Sequence, residues 1–224
     1  MLIAITGSNG FLGKHLRKHL EKLGYRIRLL QRKKGPKVFL INNFLDFSNW
    51  SLALSDVDVL IHCAGKAHDT QSSSNKDYKS YLKINFEITK KLALEAVKSK
   101  IKKFIFISSI KVNGEKTMPN LPFNNYSKVL PMDYYSKSKF EAEKFLNALS
   151  KKGMLDIVII RPPLIYGPNV GANFMSLIKL IDLGIPLPFL GIKNHRSFIY
   201  VENLVSFITA CIEQKSAINK TFLV

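Results

Sequence analysis

The sequence predicts an α/β fold, a doubly wound parallel sheet with helices on both faces. Three observations carry that expectation. Short apolar runs of strand length alternate along the chain with segments of helical periodicity. A glycine-rich turn follows the first of these runs and opens the first helix. No apolar run reaches the roughly 18 residues of a membrane span, and stretches such as 104–107 and 157–160 have the length of buried strands.

The elements follow in order. Leu2–Thr6 reads as a short buried strand. Residues 11–23 read as a helix, with Phe11, Leu12, His15, Leu16, His19, Leu20 and Leu23 at helical spacing, and Gly24 closes it. Strands are expected at 26–30, at 38–41 and, after the polar segment 48–56, at 57–62. One long helix is expected over 76–99, a fifth strand at 103–108, a helix at 134–152 and a sixth strand at 155–161. Six strands with the glycine turn after the first form the Rossmann-type layout that binds dinucleotides. The longest irregular stretch is 113–133, punctuated by Gly114, Pro119, Pro122 and Pro131, and loops of that length are often functional. Beyond Arg161 the alternation weakens, which suggests a small loop-rich substrate lobe. The expected division is a cofactor domain over 1–165 and a partial substrate region over 166–224.

Composition narrows the class. The chain has 224 residues, 34 Lys+Arg against 16 Asp+Glu, a formal charge of +18 and 46% hydrophobic residues. A mean hydropathy of +0.03 excludes wholesale disorder. The cations are spread along the whole chain, with no basic arm and no basic–aromatic interleaving, so nucleic acid is not expected as a partner. The N-terminus runs straight into the glycine turn and does not read as a signal peptide. Cys63 and Cys211 lie far apart in apolar surroundings and read as thiols in a reducing, cytoplasmic compartment.

Three motifs carry chemistry. The first is 6–13, TGSNGFLG, with glycines at 7, 10 and 13. Gly7 permits the tight turn, Gly10 lets the backbone approach a pyrophosphate, and Gly13 lets helix and strand pack closely; the pyrophosphate would sit on the helix N-terminus. The second is the end of the second strand. NAD sites place an Asp or Glu there for the ribose 2′-hydroxyl. Here that position is Gln31, followed by Arg32, Lys33 and Lys34, which favours NADP(H) over NAD(H). The third is Tyr135 and Lys139, four apart and on one helix face. An ammonium there is expected to lower the phenol pKa, tuning Tyr135 for proton transfer. Ser108 or Ser109, at the end of the fifth strand, completes the set.

With these motifs the chain resembles the extended short-chain dehydrogenase/reductase family of sugar-nucleotide epimerases, dehydratases and reductases. The likeness also includes HCAG at 62–65, SSIKVNG at 108–114, RPPLIYGP at 161–168 and RSFIYVENL at 196–204. It implies Ser109, Tyr135 and Lys139 as catalytic residues. It implies a cofactor site of Gly7, Asn9, Gly10, Phe11, Leu12, Gly13, Gln31, Arg32, Asn43, Phe44, Ala64, Gly65, Tyr135, Lys139 and Pro162 (or Pro163). It implies Ser109, Asn173 and Arg196 at a UDP-sugar substrate, with Asn173 read equally as a helix N-cap. A narrower resemblance, carried by SSIKVNGE, RPPLIYGP, Asn173-Phe174 and PLP at 186–188, is to a subgroup in bacterial surface-polysaccharide synthesis.

The expected activity is a 4-reductase of a UDP-4-keto-6-deoxy-N-acetylhexosamine. One alternative is a UDP-glucose or UDP-N-acetylglucosamine 4-epimerase with tightly bound NAD, and another is a non-catalytic NADP(H)-sensing protein. Departures from the family pattern fall at Leu164, Asn43 and Asn113. His62 reads as a structural residue of its turn. His15 and His19 lie on the first helix, His68 and His195 in loops, and no metal site is expected. The resemblance also allows a homodimer through the helices of the Rossmann domain. Members of that family usually run longer, so the expectation is a truncated substrate lobe.

Overall fold

A computed structural model of the chain describes residues 1–67, 75–118, 120–184 and 195–224. Among these, seven strands form one sheet in the order β3-β2-β1-β4-β5-β6-β9, every adjacent pair parallel. They are β1 (Leu2–Thr6), β2 (Arg26–Gln31), β3 (Val38–Leu40), β4 (Val59–His62), β5 (Lys103–Ile107), β6 (Asp156–Arg161) and β9 (Lys220–Leu223). A separate parallel pair is β7 (Leu164–Tyr166) with β8 (Phe198–Tyr200).

The strands are apolar on both faces because both faces are covered. Side chains alternate across each strand, so odd and even positions enter different cores. Leu2, Ala4, Leu60, Phe104, Phe106, Ile157 and Ile159 face α2 (Trp50–Ala53), α4 (Ile88–Lys98) and α5 (Tyr134–Lys151). Ile3, Ile5, Val59, Ile61, Ile105, Val158 and Ile160 face α1 (Phe11–Lys22) and α7 (Val201–Glu213). The remaining helices are α3 (Asn75–Tyr81) and α6 (Ala172–Asp182).

Two findings differ from the sequence expectation. The sheet has a seventh strand: β9 pairs with β6, from Val158↔Lys220 to Arg161↔Leu223, so chain beyond residue 165 returns to the same sheet. A local pattern shows that residues 220–223 form a strand but not which neighbour receives it. The helix expected over 76–99 is interrupted by a π-helical turn, Leu82–Glu87. That turn holds Asn85, a fully buried polar residue whose side chain reaches away from the helix to other elements.

Candidate active site

The site lies where the strands end and their loops begin. Gly7 ends β1 with φ +71°, and a Cβ there would come within 2.5 Å of the Ala64 backbone nitrogen. A Cβ on Gly13 would lie 2.2 Å from the Gly7 carbonyl oxygen. These glycines therefore let α1 press on the turn and the turn press on Cys63–Ala64. Gly10 differs: its Cβ position meets only the Gly7 carbonyl, at 3.2 Å. It caps α1 without a side-chain bond, leaving the N-terminal N–H groups of a 12-residue helix open to an anion. Leu12 is buried in the core, and Phe11 packs edge-on against His15.

Gln31 is held by the glycine turn. Its amide nitrogen donates to Ser8 Oγ at 2.6 Å, and its carbonyl accepts from Asn9 Nδ2 at 3.0 Å. The cations after it, Arg32, Lys33 and Lys34, are exposed. Asn43 is exposed and accepts from the Leu45 N–H, while the Phe44 ring packs against Trp50.

The candidate catalytic trio, Ser109, Tyr135 and Lys139, assembles from two elements. Ser109 caps a short 3₁₀ turn, Ile110–Val112; its Oγ accepts the Lys111 N–H at 3.3 Å, and its hydroxyl is the side chain that favours the ionised form of the Tyr135 phenol. Of the two serines, Ser108 is buried with no hydrogen-bond partner for its Oγ among the described residues, so Ser109 is the one that meets Tyr135. Asp133 and Ser136 form a capping box that starts α5 immediately before Tyr135. One turn on, Lys139 is buried, donates to the Ile107 carbonyl at 2.9 Å, and lies over the Phe106 ring.

Burial pushes the Tyr135 phenol up to about 12, and the nearby Ser109 hydroxyl opposes that shift without cancelling it. This corrects the expectation that Lys139 lowers it. Burial also lowers Lys139 to about 8, and its ammonium is directed at a backbone carbonyl. In this site the resting Tyr135 is a neutral phenol, a proton donor.

Lys139 and Gly65 are close: a Cβ on Gly65 would lie 3.0 Å from Lys139 Nζ. The turn at 63–66 is held by Asn85, which accepts from the Lys66 N–H at 2.8 Å and donates to the Lys66 carbonyl and to Ser138 Oγ. Sequence reasoning missed Asn85. Its signal was a polar residue, with Thr89 four later, interrupting the apolar stripe of a core helix.

His62 is structural, as expected. Its Nε2 meets Thr89 Oγ1 at 3.0 Å, and the single proton of that hydroxyl goes to the Asn85 carbonyl. Thr89 must therefore accept from an Nε2–H, which leaves Nδ1 to accept from Thr6 Oγ1 at 2.6 Å. The ring is neutral, and burial lowers its pKa to about 3, with Lys139 acting in the same direction. The unfolded chain binds this proton near 6.5 and the folded one only near 3, so stability falls as pH drops through that window. His62→Gln is expected to flatten the acid limb of a urea-stability profile between those pH values. An unchanged slope would remove His62 as its cause.

The substrate candidates sit on the β7–β8 side. Pro162 lies two residues before β7 and Arg196 two before β8, and the register Leu164↔Phe198 sets both at the same end of that pair. Arg196 is exposed. Asn173 is the second residue of α6, whose N-cap is Gly171, so its reading as an N-cap is corrected. His15 joins this side to α1 through Glu202 and the Pro168 carbonyl. His68 and the motif at 186–188 lie outside the described residues. No helix among the described residues is long and apolar enough to cross a membrane.

Comparison with known proteins gives a consistent set of likenesses. The profile of the NAD dependent epimerase/dehydratase family matches residues 3–224. A UDP-glucose 4-epimerase of Vibrio cholerae is 42% identical over 228 residues, covering 99% of this chain and 70% of that protein. An N-acetyl-alpha-D-glucosaminyl-diphospho-ditrans,octacis-undecaprenol 4-epimerase of Escherichia coli O157:H7 is 27% identical, covering 92% of this chain and 61% of that protein. The crystal structure of UDP-glucuronic acid 4-epimerase from Bacillus cereus, in complex with UDP-glucuronic acid and NAD, superposes with a TM-score of 0.84 at 26% identity. It covers 100% of this chain and 77% of that one.

Proposed function

Since the chain belongs to the NAD dependent epimerase/dehydratase family, we propose that it inverts the C4 configuration of a UDP-hexose, with a nicotinamide dinucleotide as its cofactor. The observation that carries this reading is the 42% identity to a UDP-glucose 4-epimerase across 99% of the chain. It favours the epimerase alternative over the 4-reductase that the sequence motifs suggested.

The residues fit a dinucleotide. The open Gly10 position and the uncapped N-terminus of α1 form a cradle for a pyrophosphate. Ala64 and Gly65 line the neighbouring turn, with Lys139 against Gly65 for the nicotinamide ribose. When bound, the cofactor supplies reversible hydride acceptance at C4. The protein supplies proton transfer and orientation. As the phenolate, formed when its own proton passes to solvent, Tyr135 Oη takes the proton of the C4 hydroxyl and, now a phenol again, returns it to the 4-keto oxygen. Ser109 Oγ holds that oxygen, and Lys139 supplies positive charge beside the phenol. Asn173 and Arg196 hold the substrate diphosphate, an arginine fork being suited to phosphate.

A second reading, the NADP(H)-dependent 4-reductase, is supported by one specific observation. Gln31 is occupied with Ser8 and Asn9, and the exposed residues that follow β2 are Arg32, Lys33 and Lys34, which would favour a 2′-phosphate. One experiment separates the two. The protein is incubated with UDP-glucose or UDP-N-acetylglucosamine plus NAD, and with UDP-4-keto-6-deoxy-N-acetylglucosamine plus NADPH, and the products are followed by NMR. Appearance of the C4-inverted hexose with no net reduced cofactor is expected. NADPH consumption on the keto sugar, with no inversion of either hexose, would replace the epimerase by the reductase.

A further inference from the structure

A second buried constellation lies one helical turn beyond the catalytic trio. Glu143 follows Lys139 on α5 and is fully buried, Arg161 ends β6, and Asn113 closes the segment that begins at Ser109. Arg161 Nε donates to Glu143 Oε1 at 3.0 Å and Nη2 donates to Oε2, a fork-on-fork pair. Nη1 donates to Asn113 Oδ1 at 2.9 Å. One guanidinium thus joins a helix, a strand and a loop.

Stability alone is a poor reason for such a cluster, because the desolvation of buried charges offsets their attraction and apolar residues hold a fold as well. Placement supplies a better one. Each of the three joined elements carries a group of the site: α5 carries Tyr135 and Lys139, the segment carries Ser109, and β6 runs into Pro162. The segment is otherwise tied by backbone bonds, Ile110 N–H to the Pro162 carbonyl at 3.0 Å and Leu130 N–H to the Val112 carbonyl at 3.1 Å. The Glu143 carboxylate also faces Lys139 and favours its charged form, against the effect of burial.

We propose that Glu143, Arg161 and Asn113 are positioning residues that hold Ser109 in register with Tyr135 and set a counter-charge beside Lys139. The proposal deepens the epimerase reading and rests on it where turnover is measured.

Asn113 offers the cleanest test. Its Nδ2 has no hydrogen-bond partner among the described residues, so an added acceptor oxygen in its place breaks no bond. Asn113→Asp keeps the acceptor for Arg161 and brings the cluster of Arg161, Lys139 and Glu143 to charge balance. Asn113→Leu removes the acceptor while keeping the branched shape and the number of side-chain heavy atoms. The full chain and both variants are compared by amide hydrogen exchange and by kcat and KM for UDP-hexose inversion.

In Asn113→Leu, exchange over 108–113 is expected to speed up by about tenfold, with the amides of β5 and β6 unaffected. Its kcat is expected to fall by about a hundredfold with KM little changed, as a misplaced group would cause. Asn113→Asp restores both. If exchange over 108–113 does not change, or if exchange rises equally throughout the sheet, or if both variants lose kcat alike, the proposal is overturned. Should Asn113→Leu fail to fold, Arg161→Lys, which keeps the charge and loses the fork, is expected to give the same pairing of local exchange and kcat loss. Absence of that pairing overturns the proposal. If the unmodified chain shows no turnover on any UDP-hexose, the epimerase reading fails, and the exchange data still decide whether the brace exists.

Discussion

Tyr135→Phe is expected to lower kcat for C4 inversion by roughly 10²–10⁴, the range for losing a positioned general acid–base. KM is expected to change little. α5 starts on the Asp133–Ser136 capping box, which does not use the phenol, so the fold has little to lose. At neutral pH the group being removed is a neutral phenol, since burial holds its pKa near 12. The measurement is steady-state turnover of a UDP-hexose, with circular dichroism as the control for folding. A variant within threefold of the unmodified kcat would end the assignment of Tyr135 as the proton-transfer group.

The second large effect concerns stability. Glu143→Leu leaves the Arg161 guanidinium buried, with Asn113 alone among the described residues to accept from it. Breaking a buried ion pair from one side costs about 3–5 kcal/mol. For a chain of this length such a loss lowers Tm by something on the order of 10 °C. The double variant Glu143→Leu, Arg161→Met removes both charges and is expected to recover much of that loss, because neither charge then needs solvation. Urea unfolding of the three proteins checks both statements. A single variant as stable as the parent would show that the pair contributes nothing to the fold. Recovery of stability without recovery of kcat in the double variant is the result expected if the cluster serves position more than stability.

The two predictions rest on residues that differ in how visible they were. Tyr135 and Lys139 are four apart on one helix, and their pairing is a matter of helical pitch alone. Gly7, Gly10 and Gly13 were legible for the same reason, since a strand–turn–helix of eight residues is a local event. Glu143 and Arg161 are 18 residues apart, and nothing local says that one meets the other. The pairing needs α5 to lie back across β6. Asn113 was noted only as a departure from the family pattern, whereas in the structure it accepts from Arg161. The expected lowering of the Tyr135 pKa failed for a related reason. Spacing put Lys139 beside Tyr135, but burial and the Ile107 carbonyl, both tertiary facts, decide what each group does with its proton.

By itself, then, the sequence determined what short-range geometry controls. It specified the alternating strands and helices, the glycine turn at the head of α1, and the helical face that carries Tyr135 and Lys139. Period and pitch operate over a few residues and are written directly in the order of side chains. Only the tertiary structure decided the rest: β9 added beside β6, the π-helical turn that sets Asn85 against Lys66 and Ser138, and the Glu143–Arg161–Asn113 brace. Each of these joins residues distant in sequence. Each is selected when buried polar groups must find partners inside a close-packed core, a condition that exists only once the chain has folded.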